Sequence, residues 1–522
     1  MAKTKIMAKT KIKSWIKSHK IEAILIGIIL ILASFLRLYK IAGYMTFLGD
    51  EGRDAIIVRR LLVDFDPILI GPGTSIGNMY LGPLYYYLIA PALLFANFSP
   101  VGPSVFVALL GVVTVGFIWW AGRSWFGVKA GLIAAFLYSI SPTVIIYSRA
   151  SWNPNIMPFF SLLCFWAIWQ VWKRRKYYWL VFAAIAFAFV LQSHYLGLLL
   201  APALGAIWFL ALIEARYLKN TSLYLRYSIF SFFVFAFLMS PLLIFDLRHN
   251  FINFNAMKTF FTVRQTTVSA RPWNAIPQMW PLWQQFVARV VTGREETFGK
   301  WVAVGLAGVL LWLWGKDKKI NIHPKEKSAY LLILIWIGFG LMGLGLYKQH
   351  IYDHYFGFLY PAPFLLLGGM LNQLIDNHKI RGIWISGLAI IFIAWADLTN
   401  IPLKDPPNYQ LRRTARVSES IRKEAGDQPF NLAVIAERNY EDAYQYFLEK
   451  WNTGVVDIDP LRAEETIADQ LFVVCEKPES ECDPTHNPKA EVANFGWSQI
   501  EKTWQVDGIT IFKLIHSNPQ TQ

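Results

Sequence analysis

The chain has 522 residues, of which 55% are hydrophobic, 16% aromatic and only 16% charged, and this composition excludes a soluble enzyme built from two or three cored domains. Apolar runs of about 17–22 residues recur along it, each long enough to cross the hydrocarbon core of a bilayer. The net charge of +15 would suit nucleic acid, but the excess basic residues lie in the N-terminal tail and in short clusters between apolar runs, which sets topology and contact with anionic lipid instead.

Residues 1–20 form a basic tail whose opening, "MAKTKIMAKTKIK", repeats six residues, as an alternative start at Met7 would. The first apolar segment, 21–42, is too long for a cleavable signal and no small-residue cleavage pattern follows it, so it reads as a retained anchor. "FLGDEGRDA" (47–55) comes next and sets Asp50 and Glu51 just beyond that anchor. Further candidate spans are 81–97, 103–121, 128–147, 155–172, 177–195, 197–213, 227–246, 301–315, 328–347, 355–373 and 382–398. The basic loops are the tail, "WKRRKYY" (172–178), "EARYLKNTSLYLR" (214–226), "GKDKKINIHPKEK" (315–327) and "NHKIRG" (377–382). They cannot all be cytoplasmic if all twelve segments cross. Parity is restored if 81–97, "LGPLYYYLIAPALLFAN", with two prolines and three consecutive tyrosines, is a re-entrant or interfacial helix.

Eleven spans are therefore predicted, an α-helical polytopic membrane domain over 21–399 in the plasma membrane. The N-terminus is cytoplasmic, and external loops cover about 43–102 and 247–300. From 400 to 522 the pattern changes to short apolar stretches, "NLAVIAE" (431–437), "LFVVCE" (471–476) and "GITIFKLI" (508–515), with a helix-like "NYEDAYQYFLEKW" (439–451). That is a small extracytoplasmic α/β domain, expected to bind an acceptor or to pack. Cys475 and Cys482 lie in it, open either to a disulfide or to a free pair, while Cys164 sits in a span as a small apolar residue.

Ionisable and polar residues gather at the external ends of the spans: Asp50, Glu51 and Arg53, then "YSRASWNPN" (147–155), "QSHYLG" (192–197), "FDLRHN" (245–250) and "YKQHIYDHY" (347–355). The span centres carry few charges, whereas an ion-coupled transporter needs them at mid-depth. A site at the outer boundary suits a substrate with a lipid tail and a polar head, such as a polyprenyl-phosphate sugar. Attack on its anomeric carbon needs a base for the acceptor hydroxyl and cations for the departing phosphate. Asp50 is the natural base and Glu51 its support, orienting a neighbour or helping to hold a divalent metal, a question the sequence leaves open. Arg53 offers a planar fork for phosphate, and Arg149, His194 and Arg248 are further candidates, although arginines at span ends also snorkel to headgroups. Tyr85, Tyr86, His350, Tyr352, His354 and Tyr355 are the candidate pocket residues. The alternative is a lipid-linked-sugar flippase, which would require a hydrophilic path through several spans.

Several of these stretches, in this order, resemble the membrane-embedded glycosyltransferases of the GT-C fold, in particular the group of protein O-mannosyltransferases and the lipid A aminoarabinose transferase. "GDEGRDA" (49–55) is similar to that group's Asp-Glu-x-Arg signature, which implies Asp50 as catalytic base and Arg53 as a phosphate contact. "GPLYYYLIA" (82–90) resembles the Lys-Pro-Pro-Leu-Tyr-Tyr stretch that follows, with glycine and a single proline in place of Lys-Pro-Pro. "SPTVIIYSRASWNP" (141–154), "SPLLIFDLRHNF" (240–251) and "HYFGFLYPAPFLLLG" (354–368) are similar to later segments of the same group. The resemblance covers about 20–400 and implies a polyprenyl-phosphate-linked sugar as donor, inversion at the anomeric carbon, and a protein, lipid or glycan acceptor. The Trp-Trp-Asp motif of the oligosaccharyltransferase branch does not occur.

Overall fold

The computed structural model describes residues 14–74, 76–77, 79–262, 267–269, 271–314 and 323–517. Most of the basic tail, residues 1–13, and residues 315–322 of one basic loop lie outside these, as do 263–266 and 270 of the second long loop.

Seven described helices are long and apolar enough to cross a membrane: Lys20–Leu38, Val101–Phe126, Asn153–Arg174, Tyr195–Tyr217, Thr221–Arg248, Pro324–Gly345 and Pro361–Thr399. The last has 39 residues, which would run to ~58 Å if straight, twice the hydrocarbon thickness. It is folded back at Lys379, where φ is 44° and ψ −116°, so that Ser386 Oγ reaches Leu371 O at 3.2 Å. Val128–Ile140 and Trp179–Ser193 are shorter apolar helices, and Glu296–Trp314 is a further helix of 19 residues, so the described helices are roughly as many as the eleven spans expected. Helix Thr221–Arg248 leaves Phe232, Phe233 and Phe237 exposed, as lipid contact allows, whereas Trp125, Trp169 and Trp336 are buried between helices.

Ion pairs mark one face: Glu22–Arg123 at 2.6 Å, Lys129–Asp376 at 2.9 Å and Arg175–Glu214 at 3.4 Å. They tie together the loops whose lysines and arginines the sequence groups on one side. The opposite face gathers the ends that the candidate chemistry occupies. There Arg149 donates to Leu36 O and Tyr39 O, and Asn153 Nδ2 to Ser193 O.

Helix Leu84–Phe95, about 18 Å long, starts and ends on that same face. Leu84 N donates to Gln192 Oε1 at its beginning, and Phe98 O, just past its end, accepts from Tyr446 of the C-terminal region. It lies along the face without crossing, in keeping with the reading of 81–97.

The C-terminal region carries a four-stranded sheet in the order β1-β2-β4-β3. β1 (Asn431–Ile435) and β2 (Gln470–Cys475) are parallel and wholly buried, as their unbroken apolar runs require. β4 (Ile509–His516) pairs antiparallel with both β2 and β3 (Ser498–Val506). A disulfide joins Cys475, the last residue of β2, to Cys482. The region shares a core with the segment after the first span: Phe47 packs edge-on to Tyr446 and Phe447 at 6.2 and 5.7 Å between ring centroids. Helix Asp442–Lys450 lies on helix Gly49–Val63, with Arg60 and Glu449 paired at 2.5 Å.

Candidate active site

Helix Gly49–Val63 decides where the acidic signature points. Its first turn has unsatisfied N–H groups, and Glu51 turns back to accept from Leu48 N at 3.0 Å. Glu51 is thereby buried, and burial raises its carboxyl to about 8. It caps the helix and is not among the residues that line the cavity.

Asp50, one residue earlier and about 100° away around the helix, does line it. Arg53, one turn on, donates through Nη1 to Asp50 Oδ1 at 2.8 Å, and through Nη2 and Nε to Asp54 Oδ1 at 2.9 and 3.2 Å. The same Nη1 reaches the Tyr440 hydroxyl at 3.3 Å. The guanidinium also hydrogen-bonds the Tyr86 hydroxyl, so its donors are taken up within the site. Sequence reasoning gave Arg53 to phosphate; in the structure its fork chiefly bridges two aspartates. Asp54, which that reasoning passed over although it lies one helical turn from Asp50, is buried, and burial raises its carboxyl to about 6 against the pull of Arg53. It also accepts from the Tyr86 hydroxyl at 3.1 Å.

The cavity has a volume of about 330 Å³. Asp50 and Arg53 form one wall; Trp152, His194, Tyr195, Tyr352, His354 and Tyr355 form an aromatic wall. His354 is the hub of that wall, with ring centroids 4.6 Å from both Trp152 and Tyr355 and 5.8 Å from His194. Burial lowers His194 to about 3 and His354 to about 4, so both imidazoles are neutral at physiological pH. His194 Nδ1 accepts from Leu196 N, which leaves the ring proton on Nε2 as a donor.

A second, apolar cavity of about 570 Å³ adjoins the first and shares Leu81 and Tyr195 with it. Leu191, Leu198, Leu199, Leu242, Leu243 and Met257 are among its walls. Gly82 sits at the junction because a Cβ there would fall 2.0 Å from Gln192 Oε1. The "LGP" stretch therefore brings no lysine to the site.

Among the other sequence candidates, Tyr352, His354, Tyr355 and His194 are brought together with Asp50 and Arg53. Tyr85 and Tyr86 support the wall from behind: both are buried, Tyr85 hydrogen-bonded to Ser151 at 2.8 Å and Tyr86 to Asp54. Arg149 is buried on the carbonyls of Leu36 and Tyr39 and over the Tyr44 ring, so it clamps the end of the first span and does not reach the cavity. Arg248 lies exposed at a helix end, and His350 is exposed against Tyr352, both outside the cavity. Trp152, Asn153 and Tyr195 line it from within stretches the sequence singled out. Nothing in the sequence pointed to Tyr440. Among the described residues no three His, Cys, Asp or Glu side chains gather as metal ligands.

A sequence profile of the dolichyl-phosphate-mannose-protein mannosyltransferase family matches residues 81–240. A search of curated proteins found no match. Among solved structures, ArnT from Cupriavidus metallidurans, bound to undecaprenyl phosphate, superposes with a TM-score of 0.57 at 12% identity, over 94% of this chain and 97% of that one. The chain has the GT-C fold. Two structures from Archaeoglobus fulgidus extend the likeness to a second GT-C branch. The oligosaccharyltransferase AglB, in complex with an inhibitory peptide and a dolichol-phosphate, gives a TM-score of 0.50 at 12% identity over 88% of this chain and 70% of that one. The apo oligosaccharyltransferase gives 0.54 at 15% identity, over 86% and 69%. The GT-C fold and the apolar helices make this a multi-pass membrane protein with a small C-terminal sheet domain.

Proposed function

We propose that this GT-C protein is an inverting glycosyltransferase that moves a hexose or pentose from a polyprenyl-phosphate donor to an acceptor hydroxyl at the external face of the plasma membrane. The observation that carries the reading is the junction of the two cavities: a polar chamber holding Asp50 opens, at Leu81 and Tyr195, into an apolar groove. The prenyl tail lies in the groove, the phosphate at the junction, and the sugar in the chamber with its C–H face on the aromatic wall. Asp50 takes the proton of the acceptor hydroxyl while that oxygen bonds to the anomeric carbon. The carbon–oxygen bond to phosphate breaks, and its electron pair leaves with polyprenyl phosphate. A single displacement inverts the centre. Arg53 supplies positive charge, and His194 Nε2–H supplies a neutral donor.

The matched mannosyltransferase profile and the undecaprenyl phosphate named with ArnT support a lipid-linked donor. The external placement rests on the basic loops lying on the opposite face, and on a disulfide, which persists in an oxidising compartment. The test uses purified protein, a panel of polyprenyl-phosphate hexoses and pentoses, and a cell-envelope extract as acceptor. Release of free polyprenyl phosphate is expected from the wild type, and a loss of at least about a hundredfold from Asp50→Asn with donor binding retained. Wild-type turnover by the Asn variant would refute the assignment. Movement of the donor across vesicles without release would mark a flippase instead.

A further inference from the structure

Asp50 is held by two donors from different parts of the chain, both on the same oxygen. Arg53 Nη1 reaches Oδ1 at 2.8 Å and the Tyr440 hydroxyl reaches it at 2.6 Å. Among the described residues no other group hydrogen-bonds Asp50, so Oδ2 is left to the cavity. The Asp50 side chain is 40% exposed, and without such a clamp it would exchange rotamers freely.

The placement of Tyr440 is itself built. Its ring packs on Gly49, where a Cβ would come within 2.4 Å of the ring atoms. Tyr440 N donates to Asn439 Oδ1 at 3.0 Å, and Asn439 Nδ2 donates in turn to Glu476 Oε1, which also accepts from the Tyr444 hydroxyl at 2.6 Å. Glu476 directly follows Cys475, the disulfide-bonded end of β2. A continuous set of bonds thus runs from the C-terminal sheet to one oxygen of Asp50.

We propose that Tyr440 is a positioning residue for the glycosyl transfer, its hydroxyl fixing Asp50 Oδ1 so that Oδ2 meets the acceptor hydroxyl. The inference rests on the reading of Asp50 as base. Misplacing a reacting group by about 1 Å can cost about a hundredfold in rate, so a clamp of this kind acts on turnover more than on binding. The charged and titratable groups around Asp50 are Arg53, Glu51 and Asp54 on its own helix, Tyr440 and Asp442 from the C-terminal region, and His354 across the cavity. Of these, only Arg53 and Tyr440 hydrogen-bond its oxygens.

The test compares the full-length wild type with Tyr440→Phe, Asp50→Asn and the double variant, on whichever of the panel donors the wild type turns over. Phenylalanine keeps the ring on Gly49, and the thermal midpoint reports whether the fold is kept. Expected for Tyr440→Phe are a ten- to hundredfold fall in kcat and a donor KM within about twofold of wild type. 3-Fluorotyrosine at 440, a donor of nearly the same shape, should keep kcat near the wild-type value. The double variant should be no slower than Asp50→Asn alone. An unchanged kcat in Tyr440→Phe, or a loss confined to donor KM, overturns the role of Tyr440 while an inactive Asp50→Asn keeps the base. An active Asp50→Asn removes both.

Discussion

Three arginines that look alike in the sequence have three different fates. Arg53 lies between Asp50 and Asp54 and is tied to both, so it orders the acidic signature before it meets any ligand. Arg149 is only 3% exposed and satisfies the last carbonyls of the first span. Arg149→Ala leaves those carbonyls buried without donors, and should lower stability by about 2–3 kcal/mol while turnover per folded molecule changes little. Arg248→Ala should move stability by less than about 0.5 kcal/mol and leave activity unaltered. Thermal unfolding in detergent, combined with active-site titration, separates the two. Snorkelling, phosphate binding and clamping all demand an arginine at a span end, so residue type and position could not decide among them; the carbonyls 110 and 113 residues away do.

Helix Gly49–Val63 carries the site because the C-terminal region can approach it closely. Gly49 and Gly52, one turn apart, face Tyr440 and the backbone of Asp442; a Cβ at 52 would lie 2.4 Å from Asp442 O. In an exposed helix Gly→Ala gains up to about 1 kcal/mol, but here the sign reverses. Gly52→Ala should cost about 1–3 kcal/mol and speed proteolysis of the 440–450 segment. The same contact is acid-sensitive. Burial lifts Glu51 to about 8, Asp54 to about 6 and Asp442 to about 7. Each raised acid binds its proton more tightly folded than unfolded, so its contribution is fully present below the unfolded value and is lost as pH climbs through the folded one. Hydrogen exchange in 49–63 and 440–450, corrected for intrinsic rate, should therefore be slower at pH 5 than at pH 8, and Glu51→Gln should flatten that dependence. The sequence showed the adjacent carboxylates but not their separation into one that caps the helix and one that lines the cavity, which depends on where the helix begins.

Across the whole molecule, hydropathy was enough to read a polytopic helical domain of roughly the right helix number, because each span must satisfy its backbone alone. It could not reveal the fold-back at Lys379 as a conformation, nor the docking of the C-terminal region, since both depend on contacts far apart in sequence. Sidedness can be tested directly. Cys164 is buried and the other two cysteines are bonded, so an introduced thiol is read without background. A membrane-impermeant maleimide added to intact cells should label Glu501→Cys and leave Lys129→Cys unlabelled until the membrane is opened; the reverse result would invert the molecule.

The hydrogen bond between Asp50 and Tyr440 spans 390 positions of the chain. A ribosome makes the first of these residues early and the second near the end, after the last helix has entered the bilayer. If Tyr440 positions Asp50 as proposed, a prematurely terminated chain lacks the second clamp on that carboxylate, and the proposed transfer waits on synthesis of the final segment.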